Sequence, residues 1–264
     1  MKNWELLENE CITYLQNKYP AIKFEWTGKE NPTKSDILIR TKNMSFYIEV
    51  KSPLSQCGQF VLIPDLQNQV FIYSSKNKSP IFDPTKKIIS YMDFNFAKYV
   101  NATTIAKEIN LDESIYANWI IDYYSFKQVR FVITKNKEDY LIFPLHKIAD
   151  YFQIKCFYRI KKSGSSHTTV FSKNDLITWW KLSVNGKFIV ENKKLYFNSN
   201  DDLQNHKIHT LNSTYLLHQV SSNKYEIRKL SNTFNANVIF QIKLKGDSKQ
   251  SLSDLEEFKS TLKD

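Results

Sequence analysis

Glycine is scarce, with five in 264 residues. A glycine-rich phosphate loop or a dinucleotide fingerprint has too little glycine to be built here, so no nucleotide cofactor is expected. Cysteine is scarcer. Cys11, Cys57 and Cys156 are scattered, without a CxxC pair, and an odd count of that kind argues against a disulfide scaffold or a structural zinc site. No stretch approaches the roughly 18 apolar residues of a membrane span. The N-terminal "MKNWELLENECITYL" carries acids where a signal peptide needs an apolar run. No strong basic amphipathic helix, repeat or low-complexity tract is found. These absences predict a soluble, cytoplasmic chain with no membrane partner.

What is present is a globular composition, 42% hydrophobic, with a net charge of +10. Such an excess favours a polyanionic partner, either nucleic acid or an anionic membrane surface. Part of it reflects a general richness in Lys, Asn, Ile and Tyr. The spacing predicts a helix over 3–18, where Leu7, Cys11, Tyr14 and Leu15 recur and Pro20 stops the run. A loop, "GKENPTKS", leads to two strands at about 35–40 and 45–51, joined by the hairpin turn "TKNMS". Ser52-Pro53 is a helix start. The region 84–126 is mainly helical, 129–134 and 139–145 are strands, "HKIADYF" is a short helix and 154–160 a strand. Asn174 caps a helix over 174–182. Beyond about 184 the texture is of short strands forming a small antiparallel sheet, closed by the helix "SLSDLEEFKSTL" with Ser251 or Ser253 as its cap. The expected division is 1–172 and 173–264.

The stretch "SDILIRTKNMSFYIEVKS" carries charges that a plain core strand would not want. Strand residues alternate between faces. Phe46, Ile48 and Val50 share one face of the second strand, and Tyr47, Glu49 and Lys51 the other. A hairpin places Asp36 beside Glu49, so two carboxylates and an ammonium converge at one sheet edge. Two acids at that spacing suit Mg²⁺, which takes the rest of its shell from water and phosphate, and the carbonyl of Val50 is a further oxygen ligand. Lys51 is placed to orient or deprotonate an attacking water, or to stabilise charge in the transition state of phosphodiester hydrolysis.

Asp36, twelve intervening residues, then Glu49-Val50-Lys51 resembles the PD-(D/E)XK nuclease superfamily, which includes many type II restriction endonucleases. The proline that precedes the Asp in the motif's name is Ser35 here. The resemblance implies an α/β (α+β) fold: a restriction-endonuclease-like core with a mixed central sheet flanked by helices, here with a β-rich C-terminal region. It implies that Asp36 and Glu49 bind Mg²⁺, with Mn²⁺ able to substitute, and that Lys51 is catalytic. It also implies a supporting glutamate on the preceding helix. Glu8 fits, because Ile12 and Leu15 follow it at helical spacing, whereas Glu5 and Glu10 are less well placed. Double-stranded DNA is the implied partner, often met by a homodimer because a palindrome matches a twofold axis.

Polar residues after the E-x-K strand, on a helix approaching DNA, are common in that superfamily, and Gln56 and Gln59 stand there. The alternative for both is that they simply meet solvent on the outer face of a helix. Arg159, Lys161, Lys162, Ser163, Ser165 and His167, around Gly164, either track a phosphate backbone or form a solvated basic loop. His206, His209 and His218 read as unrelated surface histidines, and "TWW" (178–180) as packing. The function expected is a Mg²⁺-dependent endodeoxyribonuclease of the type II restriction class. Two alternatives remain open: a repair, recombination or phage nuclease that reads DNA structure, and a non-catalytic DNA-binding protein.

Overall fold

A computed structural model of the chain describes residues 3–28, 34–137, 139–161, 165–169, 173–210, 213–230 and 235–263. The first elements are α1 (Asn3–Lys18), β1 (Lys23–Trp26), β2 (Ile37–Arg40), β3 (Ser45–Lys51), β4 (Leu54–Asp65), β5 (Val70–Tyr73), α2 (Asp83–Phe94), α3 (Phe96–Tyr99), β6 (Lys107–Ile109) and α4 (Glu113–Phe126). Then come β7 (Val129–Asn136), β8 (Asp139–Pro144), α5 (Ile148–Tyr151), β9 (Phe152–Lys161), β10 (Ser165–His167) and α6 (Lys173–Ser183). The last are β11 (Lys187–Glu191), β12 (Lys194–Asn198), β13 (Lys207–His209), β14 (Thr214–Ser221), β15 (Lys224–Leu230), β16 (Asn235–Leu244) and α7 (Leu252–Lys263).

The chain divides into two units, one of Met1–Arg159 with Ala236–Asp264, the other of Ile160–Asn235. The first holds a mixed sheet in the order β1-β2-β3-β7-β8, in which only β3 and β7 run parallel. One face of this sheet is apolar at every second residue: Ile37, Ile39, Phe46, Ile48, Val50, Phe131 and Ile133. Cys11, Ile12 and Leu15 of α1 and Phe258 and Leu262 of α7 close over it. Covering that face removes several large apolar side chains from water, each worth about 1.5–3 kcal/mol. The opposite face carries Glu49 and Lys51.

A second sheet of the same unit runs β5-β4-β16-β9-β6. Helix α4, capped where Asp112 accepts the Ser114 N–H, buries Tyr116, Trp119, Ile120 and Tyr124. Trp119 stacks on Phe240 of β16 with ring centroids 4.0 Å apart. Gly58 lets α4 approach. It has φ +89, and a Cβ there would lie 2.6 Å from the Trp119 ring, so any side chain is excluded twice over. The second unit is an antiparallel sheet, β11-β12-β15-β14-β13 with β10 on β15, around Leu195, Phe197, Tyr215, Leu217, Tyr225 and Ile227.

Three expectations change. The segment after Ser52-Pro53 is not a helix but strand β4, paired with β16. Gln59 opposes Ile239 and Gln56 opposes Gln241, so Cys57 and Gly58 together face one residue, Phe240, in a β-bulge. The bulge broke the period-two signal, and pairing with a distant strand overrode the local Ser-Pro cue. The division near 172 shifts as well, because β16 and α7 return to the first unit. Finally, Asn174 lies inside α6 rather than before it, whereas Ser251 does cap α7, its Oγ accepting from Asp254 N–H at 3.4 Å.

Candidate active site

The β2–β3 hairpin pairs Ile37 with Ile48, so Asp36, just ahead of β2, arrives beside Glu49 and Val50. Asp36 Oδ2 accepts the Val50 N–H at 2.8 Å. The Asp36 carbonyl is pinned from the β1 side by the N–H groups of Thr27 and Gly28, at 2.9 and 3.2 Å. Lys51 Nζ donates to Glu49 Oε1 at 2.6 Å, the two side chains being only 11% and 7% exposed. Glu8, buried on α1, accepts from Trp26 Nε1 at 2.6 Å. Gly28 joins these groups: a Cβ there would lie 3.0 Å from Asp36 Oδ1 and 3.1 Å from Glu8 Oε2. Both carboxyl oxygens therefore face one point, kept open by the missing side chain.

The electrostatics separate the three acids. Burial, then the like charges of Glu49 and Glu8, push Asp36 well above the usual carboxylate range, with Lys51 pulling the other way. Glu8 is also raised, by burial first and by Glu49, against the Trp26 hydrogen bond. Burial works against the charge on Glu49 too, but Lys51 and then Lys127 outweigh it and hold this carboxyl below its ordinary value. Burial opposes the Lys51 charge, and Glu49 more than restores it, so the ammonium persists far above neutrality. The chain thus holds a fixed Glu49–Lys51 ion pair next to an Asp36 that resists ionising without a further cation.

Among the described residues, no three His, Cys, Asp or Glu side chains stand together as a ready metal cage. The donors nevertheless fit a hard divalent cation. Glu49 Oε1 is taken by Lys51 and Asp36 Oδ2 by Val50, but Glu49 Oε2 is buried and makes no hydrogen bond with any described residue. The buried Ser35 hydroxyl is near enough to favour the Glu49 charge, and it too makes no hydrogen bond with any described residue. An orphaned carboxylate oxygen beside a carboxyl that ionises reluctantly is what a cation would relieve. A cation that keeps several waters needs only one or two carboxylates.

Nearby residues with no signal in the local sequence complete the site. The Tyr124 ring of α4 lies under Lys51 Nζ, 5.1 Å away, and Cys57 is a thiol raised by burial to about 11. Lys127 follows the same helix. Gly28 alone had a sequence-level cue, being one of five glycines and lying between Trp26 and Asp36.

Of the residues expected to meet nucleic acid, Gln56 and Gln59 lie on β4 and are joined by a 2.9 Å hydrogen bond. Gln56 and Arg159 line one cavity of about 250 Å³, with Gln241, Phe157, Ile239 and Ala106. Lys161 belongs to β9, and Ser165 and His167 to β10, while Lys162 and Ser163 lie outside the described residues. His206 packs near Trp179, and His209, on the edge strand β13, contacts Thr214 of β14.

A strand ending in Glu-x-Lys, met by an aspartate through an antiparallel hairpin and by a glutamate from the preceding helix, is the architecture of the PD-(D/E)XK nucleases. The comparison with solved structures leads to the same place. The chain is 41% identical to HhaI endonuclease, solved in complex with DNA, over 99% of both chains and with a TM-score of 0.86. It belongs to that family, the PD-(D/E)XK type II restriction endonucleases. No protein-family model and no curated protein matches it.

Proposed function

We propose that the chain is a type II restriction endonuclease that hydrolyses double-stranded DNA at the Asp36–Glu49–Lys51 site. The observation that carries this reading is the buried Glu49 Oε2 beside Asp36, without a hydrogen-bond partner among the described residues, in a chain 41% identical to a DNA-bound restriction endonuclease. Asp36 and Glu49, with the Val50 carbonyl and Glu8 in support, would hold a divalent cation, Mg²⁺ with Mn²⁺ able to substitute. When bound, the cation neutralises phosphate charge and lowers the pKa of a water. Lys51, kept charged by Glu49, acts as a cation and hydrogen-bond donor where negative charge develops on the phosphate. Glu49 fixes its direction, and Tyr124 supports the ammonium from below.

Gln56, Gln59 and Arg159 supply contacts from the second sheet, Gln to base edges or phosphate and Arg to phosphate or guanine. Lys161, Lys162, Ser163, Ser165 and His167 track the backbone from the second unit. The enzyme acts in the cytoplasm. Among the described residues, no helix is long and apolar enough to cross a membrane. The reading holds per copy of the chain, and sedimentation with and without DNA decides whether two copies act together on a palindrome.

The test is a digest of mixed-sequence phage DNA with Mg²⁺, run beside EDTA and beside the Glu49→Ala and Lys51→Ala proteins. Discrete bands lost in all three controls are expected, with both variants folded and still binding DNA. A smear in place of bands would move the reading to a structure-specific nuclease. Full cleavage by Lys51→Ala would remove that residue from its role.

A further inference from the structure

Lys127 directly follows α4, and its N–H donates to the carbonyls of Ser125 and Tyr124. The next residue, Gln128, adopts φ 62, and its carbonyl accepts the Tyr47 N–H at 3.0 Å. This turn ties the end of α4 to the start of β3, two residues before Glu49. From there the Lys127 ammonium lies against the last turn of α4, 5.6 Å from the ring centroid of Tyr123 and 5.4 Å from that of Tyr124. Lys51 Nζ lies 5.1 Å from the same Tyr124 ring. Two ammonium groups therefore share one buried aromatic.

Only one of them is neutralised. Lys51 has Glu49 at 2.6 Å. Lys127 is half-buried and makes no side-chain hydrogen bond or ion pair with any described residue. Tyrosine faces offset part of the lost hydration, about 0.5–2 kcal/mol, but they accept none of its three N–H donors. A partly desolvated ammonium without an acceptor is costly unless an anion completes it. Lys127 also stands close enough to rank second, after Lys51, among the charges that hold Glu49 ionised. Glu49 Oε1 is already committed to Lys51, so this second cation is available to an anion brought by the substrate.

We propose that Lys127 binds a backbone phosphate of the DNA adjacent to the one that is cleaved. The inference rests on the endonuclease reading above and adds to it a second positive contact, on α4, outside the Asp-Glu-x-Lys motif. A phosphate contact positions the duplex and carries no base information, so it operates on any sequence.

The experiment measures binding of a random-sequence duplex, in EDTA, across a salt series. Each neutralised phosphate contributes about 0.9 to the slope of log K against log salt. Lys127→Met and Lys127→Gln are expected to lower the steepness of that slope by about 1. Lys127→Arg should retain it. Lys259→Met, which removes a lysine already paired with Glu256 on α7, should leave it unchanged. Coincident slopes for wild type and both neutral variants, with unchanged melting temperatures, would overturn the proposal while leaving the endonuclease reading intact. A wild-type protein that neither binds nor cuts DNA would overturn both.

Discussion

Replacing Asp36 with asparagine should stabilise the metal-free protein while ending cleavage. Burial, and then Glu49 and Glu8, act against the Asp36 carboxylate, and only Lys51 among the leading influences favours it by its charge. Unit charges about 5 Å apart interact by roughly 3 kcal/mol at an effective dielectric of about 20. Two repulsions against one attraction leave about one repulsion uncancelled, and partial exposure roughly halves it. The burial penalty adds to this. Exchanging a charged acceptor for a neutral one at the Val50 N–H returns about 1 kcal/mol. The net gain is on the order of 1–2 kcal/mol, or about 2–8 °C in the melting temperature of the unit that holds the site.

The pH dependence has a definite sign. The folded state holds the Asp36 proton more tightly than the unfolded chain, so wild-type stability falls as pH rises from the ordinary carboxylate value to the raised folded one. The advantage of the variant is absent below that window and complete above it. If Asp36 holds the cation as proposed, millimolar Mg²⁺ should reverse the order, because a ligand at 100 times its Kd stabilises by about 2.7 kcal/mol and the variant would lack one of its donors. Scanning calorimetry of both proteins, with and without Mg²⁺ at several pH values, reads all of this. A variant that melts lower than wild type without metal at neutral pH, or that gains as much from Mg²⁺, would mean that the Asp36 carboxylate is not held at a cost for a cation.

Other substitutions probe the neighbours. Gly28→Ala places a methyl 3.0 Å from Asp36 Oδ1, 3.1 Å from Glu8 Oε2 and 3.3 Å from the Asp36 Cα, so the carboxyls must part. The Mg²⁺ concentration for half-maximal cleavage should rise several-fold in a titration, and an unchanged midpoint would count against the shared cradle. Trp26→Phe removes a hydrogen bond that lowers the Glu8 pKa. Glu8 must ionise to support a cation, so the acidic limb of the pH–rate profile should move to higher pH, and a static limb would mean that Glu8 takes no part. Gly58→Ala combines a left-handed backbone with a methyl 2.6 Å from Trp119 and should cost on the order of 2–4 kcal/mol, read from the urea midpoint.

The meeting of Asp36, Glu49 and Lys51 was legible because its geometry is local. Strand alternation alone separates Phe46, Ile48 and Val50 from Glu49 and Lys51, and a short hairpin brings Asp36 opposite them. Helical spacing likewise placed Glu8 at the border of the face that buries Cys11, Ile12 and Leu15. Gln56 and Gln59 were assigned to a helix, since nothing near them announces that β4 pairs with β16 across almost 200 residues of chain. The same pairing moved the boundary between the two units.

Tyr124 and Lys127 were invisible for a related reason. They reach Glu49 and Lys51 from a helix more than 70 positions away, through packing that has no period in the sequence. Local sequence sets which residue types meet on one sheet face and hence the chemistry they suit. The backbone dihedrals of a strand and a turn impose that over a few residues. Tertiary structure alone decided which distant helix supplies the aromatic floor and the second cation, because long-range contacts follow from how apolar surfaces of different elements fit together.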